Sequence, residues 1–175
     1  MKKCQILVLF DQEGCIGVTA NNTSIINSAL YLKQCMATIR FLKTFYHNPS
    51  ICICDCHCDG QTLPRLSGLF TDIVFTSMPW NIDFSTAYSF ALLIGFHGMQ
   101  GTNDPLAHTF RPEIKQLKIN NKAVGELTSF FYLLSKHNIP TLFFSGTEFI
   151  KEEYQKNIYP HATESIIHFT YTSYY

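Results

Sequence analysis

Asp11-Gln12-Glu13-Gly14 follows the aliphatic run Gln5 to Phe10, and Asp55-Cys56-His57 closes the run that begins at Ser50. His97 follows the apolar run Phe90 to Phe96, and Val124-Gly125-Glu126 opens a helix-like segment after Asn120-Asn121. Asp11, Glu13, His57, His97 and Glu126 thus combine carboxylates with imidazoles, the ligand types of divalent zinc or manganese. Side chains at i and i+2 of an extended chain point the same way. Asp11 and Glu13 are therefore placed to face one ion, or Asp11 to bridge two. Two ions sharing a carboxylate would lie about 3.5–4 Å apart.

Each residue also has an ordinary reading. Loops are polar, so polar residues close strands without further purpose. A histidine after a strand is commonly solvated or bonded to backbone. Glu126 suits the first turn of any helix, where the macrodipole favours a carboxylate. No H-E-x-x-H motif is present. On spacing alone both readings stand. His108 lies in the loop-like segment Asp104-Pro105-Leu106-Ala107-His108. It is either a surface imidazole or an acid–base or nucleophilic group, since imidazole titrates near neutral pH. Asp55 either orients His57 or is a plain loop residue. Gly95 and Gly125 either permit close backbone packing or are ordinary turn glycines.

Cys52, Cys54, Cys56 and Cys58 crowd the second apolar run. Residues i and i+2 on a strand stand about 6.5–7 Å apart. A single zinc needs its sulfurs closer than about 4 Å, and no C-x-x-C knuckle bends the chain. The spacing predicts small apolar fillers on one sheet face rather than thiolate ligands or disulfides.

These residues need elements to hold them. Short apolar runs at Gln5–Phe10, 50–56, 72–76, 90–96 and 141–145 predict buried strands, with further candidates at 114–119 and 166–170. A helix is predicted over about 24–46, capped by Asn22-Thr23 and stopped by Asn48-Pro49, with Ile25, Ala29, Leu32, Met36 and Ile39 as its apolar stripe. A second helix over 125–136 carries Leu127, Phe130, Phe131 and Leu134 on one face, and a third begins near Gly146 and runs to Asn157. Buried strands alternating with amphipathic helices predict an α/β fold, a mostly parallel central sheet with helices on both faces. Ligands of such sheets bind beyond the carboxyl ends of the strands, where the polar residues above are found.

The whole chain, residues 1–175, reads as one domain without repeats or linkers. It is 14% aromatic, which excludes disorder. Thirteen Lys and Arg balance thirteen Asp and Glu, so nothing draws it to a phosphate backbone and nucleic acid is not an expected partner. With only 15% charged residues, part of the surface is expected to be covered in a homo-oligomer. The basic, apolar start ends too soon, at Asp11, for a signal peptide, and no run reaches a membrane span. A cytoplasmic protein with reduced thiols is expected, and an odd count of seven cysteines fits.

Taken in order, Asp11-x-Glu13-Gly14-x-x-Gly17, Asp55-x-His57, Gly95-Phe96-His97, Ala107-His108-Thr109 and Val124-Gly125-Glu126 resemble the zinc D-aminopeptidase family. Its best-known member belongs to a bacterial dipeptide-transport operon. The resemblance covers most of the chain, from the first strand to about Gly146. It implies a dinuclear zinc site in an α/β domain within a ring-shaped homo-oligomer. By that resemblance Asp11 bridges the ions, and Glu13, His57, His97 and Glu126 complete the ligand set. His108 matches the family's catalytic histidine. The implied reaction is metal-assisted hydrolysis of an amide beside a free amino terminus, in a short peptide or an amino-acid amide.

The chain departs from the family in four ways, one of them that the usual acidic, alanine-rich start of the first long helix is absent. Family members are usually longer, so a shortened member lacking the C-terminal portion is expected. Asp-Ser-His is here Asp55-Cys56-His57, and the usual acidic pair after Gly146 is Thr147-Glu148. The alternatives are a metal-dependent hydrolase or acyl transferase that tailors a small amide, and a non-catalytic metal-binding relative.

Overall fold

The structure is a computed structural model and describes residues 4–161 and 168–171. Its centre is a sheet of six parallel strands, β1 (Gln5–Phe10), β2 (Ser50–Asp55), β3 (Val74–Ser77), β4 (Phe90–Phe96), β7 (Thr141–Gly146) and β8 (His168–Tyr171). Their order across the sheet is β3-β2-β1-β4-β7-β8. The chain winds outward from β1 through β2 to β3, returns to β4 beside β1, and winds outward the other way. That reversal opens a crevice above the carboxyl ends of β1 and β4, the usual ligand position of an open α/β sheet.

Both faces of β1 are buried, which is why it reads as an unbroken aliphatic run. Ile6, Val8 and Phe10 pack with Tyr31, Cys35, Ile39 and Leu42 of α1 (Ser24–Phe45). Leu7 and Leu9 pack on the opposite face with Leu127, Phe130 and Leu134 of α2 (Glu126–Lys136). Ile150 and Ile158 join that second core, from α3 (Ile150–Glu153) and the π turn that follows it. No helix among the described residues is long and apolar enough to cross a membrane.

Several local expectations need correction. Thr23 caps α1 as expected, through a bond from the Ile26 N–H. The buried face, however, is Tyr31, Cys35, Ile39 and Leu42, whereas Ile25 is 80% exposed. Apolar residues surround this helix, so periodicity alone does not select a face. The 114–119 segment is not part of the central sheet. Its end, β5 (Leu117–Ile119), pairs antiparallel with β6 (Lys122–Val124). Asn120 and Asn121 both adopt positive φ, the geometry of a two-residue hairpin turn. The expected helix over 146–157 shrinks to α3 and its π turn. Of the expected last strand, residues 166 and 167 lie outside the described residues.

Candidate metal centre

Asp11 leaves β1 and enters a tight turn with Gln12, Glu13 and Gly14, not the extended geometry that parity would need. The turn is pressed against β4. The Asp11 N–H donates to the Ile94 carbonyl at 2.8 Å and the Gly14 N–H to the Gly95 carbonyl at 2.7 Å. A Cβ on Gly14 would meet the Phe96 carbonyl oxygen at 1.9 Å, and one on Gly95 the Asp11 carbonyl oxygen at 2.0 Å. Gly95 also has φ +82°, and the β4–β7 register shifts between Leu93 and Phe96. Only glycine lets these backbones touch. The contact brings Asp11 beside His97, the residue that follows β4.

The six expected residues converge as two triads. His57 Nδ1 lies 3.0 Å from the Glu13 carboxylate and 3.8 Å from Asp11 Oδ1. His97 Nε2 lies 3.2 Å from Asp11 Oδ2 and 3.6 Å from Glu126 Oε1. His108 Nε2 lies 3.7 Å from the same Glu126 oxygen. In Asp11–Glu13–His57 and in His97–His108–Glu126, one ligand atom from each residue lies within 4.8 Å of the others. Asp11 stands between them, one oxygen facing each side.

The ring orientations are set by backbone. His97 Nδ1 lies 2.9 Å from the Gly98 carbonyl and His108 Nδ1 lies 3.0 Å from the Leu106 carbonyl. A carbonyl only accepts, so both Nδ1 atoms carry hydrogen and both Nε2 atoms face the carboxylates. The two rings stack at 4.3 Å. Glu126 is aimed by the Phe110 N–H, which donates to it at 2.6 Å.

Buried Asp55 does not touch the His57 ring. It accepts the Tyr31 hydroxyl at 2.8 Å, the Thr62 and Leu63 N–H groups at 2.8 and 2.7 Å, and the His57 backbone N–H at 3.2 Å. It therefore fixes the bend that presents His57. Cys54 and Cys56 approach to 3.8 Å between sulfurs, closer than strand spacing predicts, because Cys56 lies beyond the end of β2. All seven thiols are free.

Metal fits this donor set on two observations. Asp11 Oδ2 and His97 Nε2 face each other in a buried site, yet neither makes a hydrogen bond. Moreover, Asp11, Glu13 and Glu126 are paired only with imidazoles among the described residues, not with Lys or Arg. Buried carboxylates need a counter-charge. Asp11, Glu13 and His57 could hold an ion, and so could His97, His108 and Glu126.

Burial, aided by the Glu13 charge, pushes the Asp11 carboxyl well above its usual range. Burial works the same way on Glu13, but the bond to His57 and its charge overcome it and hold Glu13 well below. Burial disfavours charge on His57 and His97, yet the facing carboxylates outweigh it and raise both imidazoles, His97 most. A raised folded value stabilises the protein fully below the unfolded value near 6.5 and ceases to as pH climbs through the folded one. Raised Asp11 acts in the same direction. Without metal, stability should therefore fall from pH 6 to 8. Metal needs neutral imidazoles, so its stabilisation should grow over the same range. Melting curves with chelator and with zinc test this, and a gap that narrows toward pH 8 would sink it.

A support invisible to local pattern comes from Glu153. The residue at the N-cap of α2 is Gly125, which has no side chain to cap the helix. The buried Glu153 carboxylate takes that place, accepting the Gly125 N–H at 2.8 Å and the Thr128 N–H at 3.0 Å. Glu126 is thereby held at the start of its helix. Glu153→Ala should cost about 1–3 kcal/mol by leaving buried donors unpaired. Glu153→Gln keeps an acceptor oxygen and should recover most of it. Urea unfolding of both variants checks this, and equal losses would count against the cap.

The D-aminopeptidase family, peptidase M55, matches residues 4–173. Among solved structures, the zinc-dependent D-aminopeptidase DppA from Bacillus subtilis, described as a self-compartmentalizing protease, is similar with a TM-score of 0.71 at 18% identity. The match covers 86% of this chain and 59% of that one, so this chain spans less than two thirds of that relative. No curated protein matches.

Proposed function

The chain belongs to the D-aminopeptidase family, peptidase M55, and on that premise we propose that it is a dinuclear zinc aminopeptidase acting on short peptides or amino-acid amides with a free amino terminus. The observation that carries the reading is the position of Asp11, with Oδ1 toward His57 and Oδ2 toward His97. A carboxylate with one oxygen on each side suits two ions and has little use in a mononuclear site. Manganese or another divalent ion would satisfy the same ligand types.

When bound, zinc supplies Lewis acidity, polarising an amide carbonyl and making water acidic enough to deprotonate near neutral pH. The chain's own residues do the rest. Asp11, Glu13, His57, His97 and Glu126 hold the charge in place. His108, whose side chain is 24% exposed beside them, is the one imidazole of the six residues open enough to meet substrate and also face Glu126. Its Nε2 would take a proton from the attacking water and return it to the leaving amine, as general acid–base chemistry requires.

We propose residues 1–175 as one metallohydrolase domain that works as a homo-oligomer. The relative's self-compartmentalizing description and the exposed Phe41 and Phe45 on α1 support that assembly. Seven free thiols are in keeping with a cytoplasmic setting.

Metal analysis of the purified protein, coupled to a panel of D- and L-amino-acid amides, tests the reading. About two equivalents of zinc with amide hydrolysis is expected. One equivalent or none after zinc loading, or no hydrolysis by the loaded protein, would overturn it.

A further inference from the structure

A cavity of about 450 Å³ opens beside the metal centre. Three loops enclose it, each following a parallel strand, after β1, β4 and β7. The cavity touches both halves of the site. Glu13, whose carboxylate meets His57, forms part of one wall. Leu106, whose carbonyl orients His108, forms part of another. A molecule seated in it therefore has one end beside Glu13 and another against the loop that carries His108. The volume is in the range of small-ligand sites and exceeds that of one amino-acid side chain.

The lining limits what enters. Val18, Ala20, Pro105, Leu106 and Phe149 give apolar surface. Asp104 also lines it but is occupied, accepting the Gly98 N–H at 2.7 Å, the Thr147 hydroxyl at 2.6 Å and the Leu106 N–H at 3.0 Å. Its carboxylate braces the loops against each other and has little left for a ligand. With Glu13 committed to the metal, the remaining charge on the walls is Glu148, which is negative, and no Lys or Arg lines the cavity among the described residues. An acidic side chain would face Glu148 and find no basic partner on these walls. An apolar one would gain by leaving water.

We propose that this cavity is the subsite for the side chain next to the cleaved amide, that it selects uncharged apolar side chains over acidic ones, and that Val18 and Ala20 set its size limit. The proposal rests on the amide-hydrolase reading and extends it to substrate class. Ala20 is exposed at the mouth, so a larger residue there does not disturb the core.

The test is kcat/KM of zinc-loaded protein on alanine, leucine, phenylalanine and glutamate amides. The parent should favour leucine or phenylalanine amide over glutamate amide by at least about tenfold. Ala20→Trp should lower the phenylalanine-to-alanine ratio by about tenfold or more, and Val18→Ala should raise it, the scale on which apolar pockets discriminate size. Both variants should bind zinc like the parent. A parent that accepts glutamate amide as well as leucine amide overturns the proposal. So do variants whose ratios stay at the parent's while zinc is retained. A loaded parent that hydrolyses no amide overturns the functional reading and this one with it, whereas an active parent with unchanged ratios overturns this one alone.

Discussion

Asp11→Asn is expected to abolish binding of both metal ions, whereas His57→Ala and His97→Ala should each weaken one side first. The asymmetry follows from Asp11 facing both triads, at 3.8 Å from His57 and 3.2 Å from His97. Glu13 and Glu126 each meet histidines on one side, so their variants should follow His57 and His97 respectively. Disturbing the partner of a metal ligand already costs about 10–100-fold, so removing a ligand should lower turnover by at least a hundredfold. Stability should move the other way. Asp11 is 2% exposed and its Oδ2 has no hydrogen bond, so metal-free protein carries a poorly compensated carboxylate. Asn keeps the shape and removes the charge, which should stabilise the metal-free protein by about 0.5–2 kcal/mol. Zinc content, turnover and chelator-treated melting of the variants read this together. An Asp11→Asn protein that keeps both ions, or is less stable than its metal-free parent, would refute the bridge.

How much of this site was readable before the fold depended on where each cause lies along the chain. Strands buried on both faces must be apolar throughout, so β1 and β4 stood out as Gln5–Phe10 and Phe90–Phe96. Their alternation with helices implied a parallel sheet, which in turn pointed to the residues after the strands. Spacing alone left Asp11, Glu13, His57, His97 and Glu126 open to a bland reading. Their common order with a known family narrowed it. What stayed hidden depends on distant contacts. Glu153 caps α2 across 28 residues from Gly125, and no local signal marks it. Tyr31 was hidden in a helix with apolar residues all round, though a tyrosine among them needs a hydroxyl partner, which Asp55 supplies. Asp11 and Glu13 converge for a different reason than strand parity, namely a turn that glycines at 14 and 95 press against β4.

His108→Ala is expected to keep its zinc and lose most of its turnover. The ring stacks on His97 at 4.3 Å and donates through Nδ1 to Leu106, which leaves Nε2 facing Glu126 at 3.7 Å. That geometry admits two roles, because His108 also belongs to the triad with His97 and Glu126 whose ligand atoms lie within 4.8 Å. Position separates them. His97 is 2% exposed with its Nε2 3.2 Å from Asp11, the placement expected of a ligand, while His108 stands on a loop with its side chain 24% exposed, the placement expected of a group that meets substrate. A general acid–base group contributes about 10²–10⁴-fold, so the variant should lose at least a hundredfold in kcat at unchanged metal content. His97→Ala should show the reverse order, with metal lost first and activity returning in part under excess zinc. Added imidazole gives a further distinction. It should restore part of the turnover of His108→Ala by carrying the proton, and it should not do so if His108 only packs the loop. Zinc loss from His108→Ala equal to that from His97→Ala would make it a ligand. A rate within a few-fold of the parent would return it to an ordinary loop histidine.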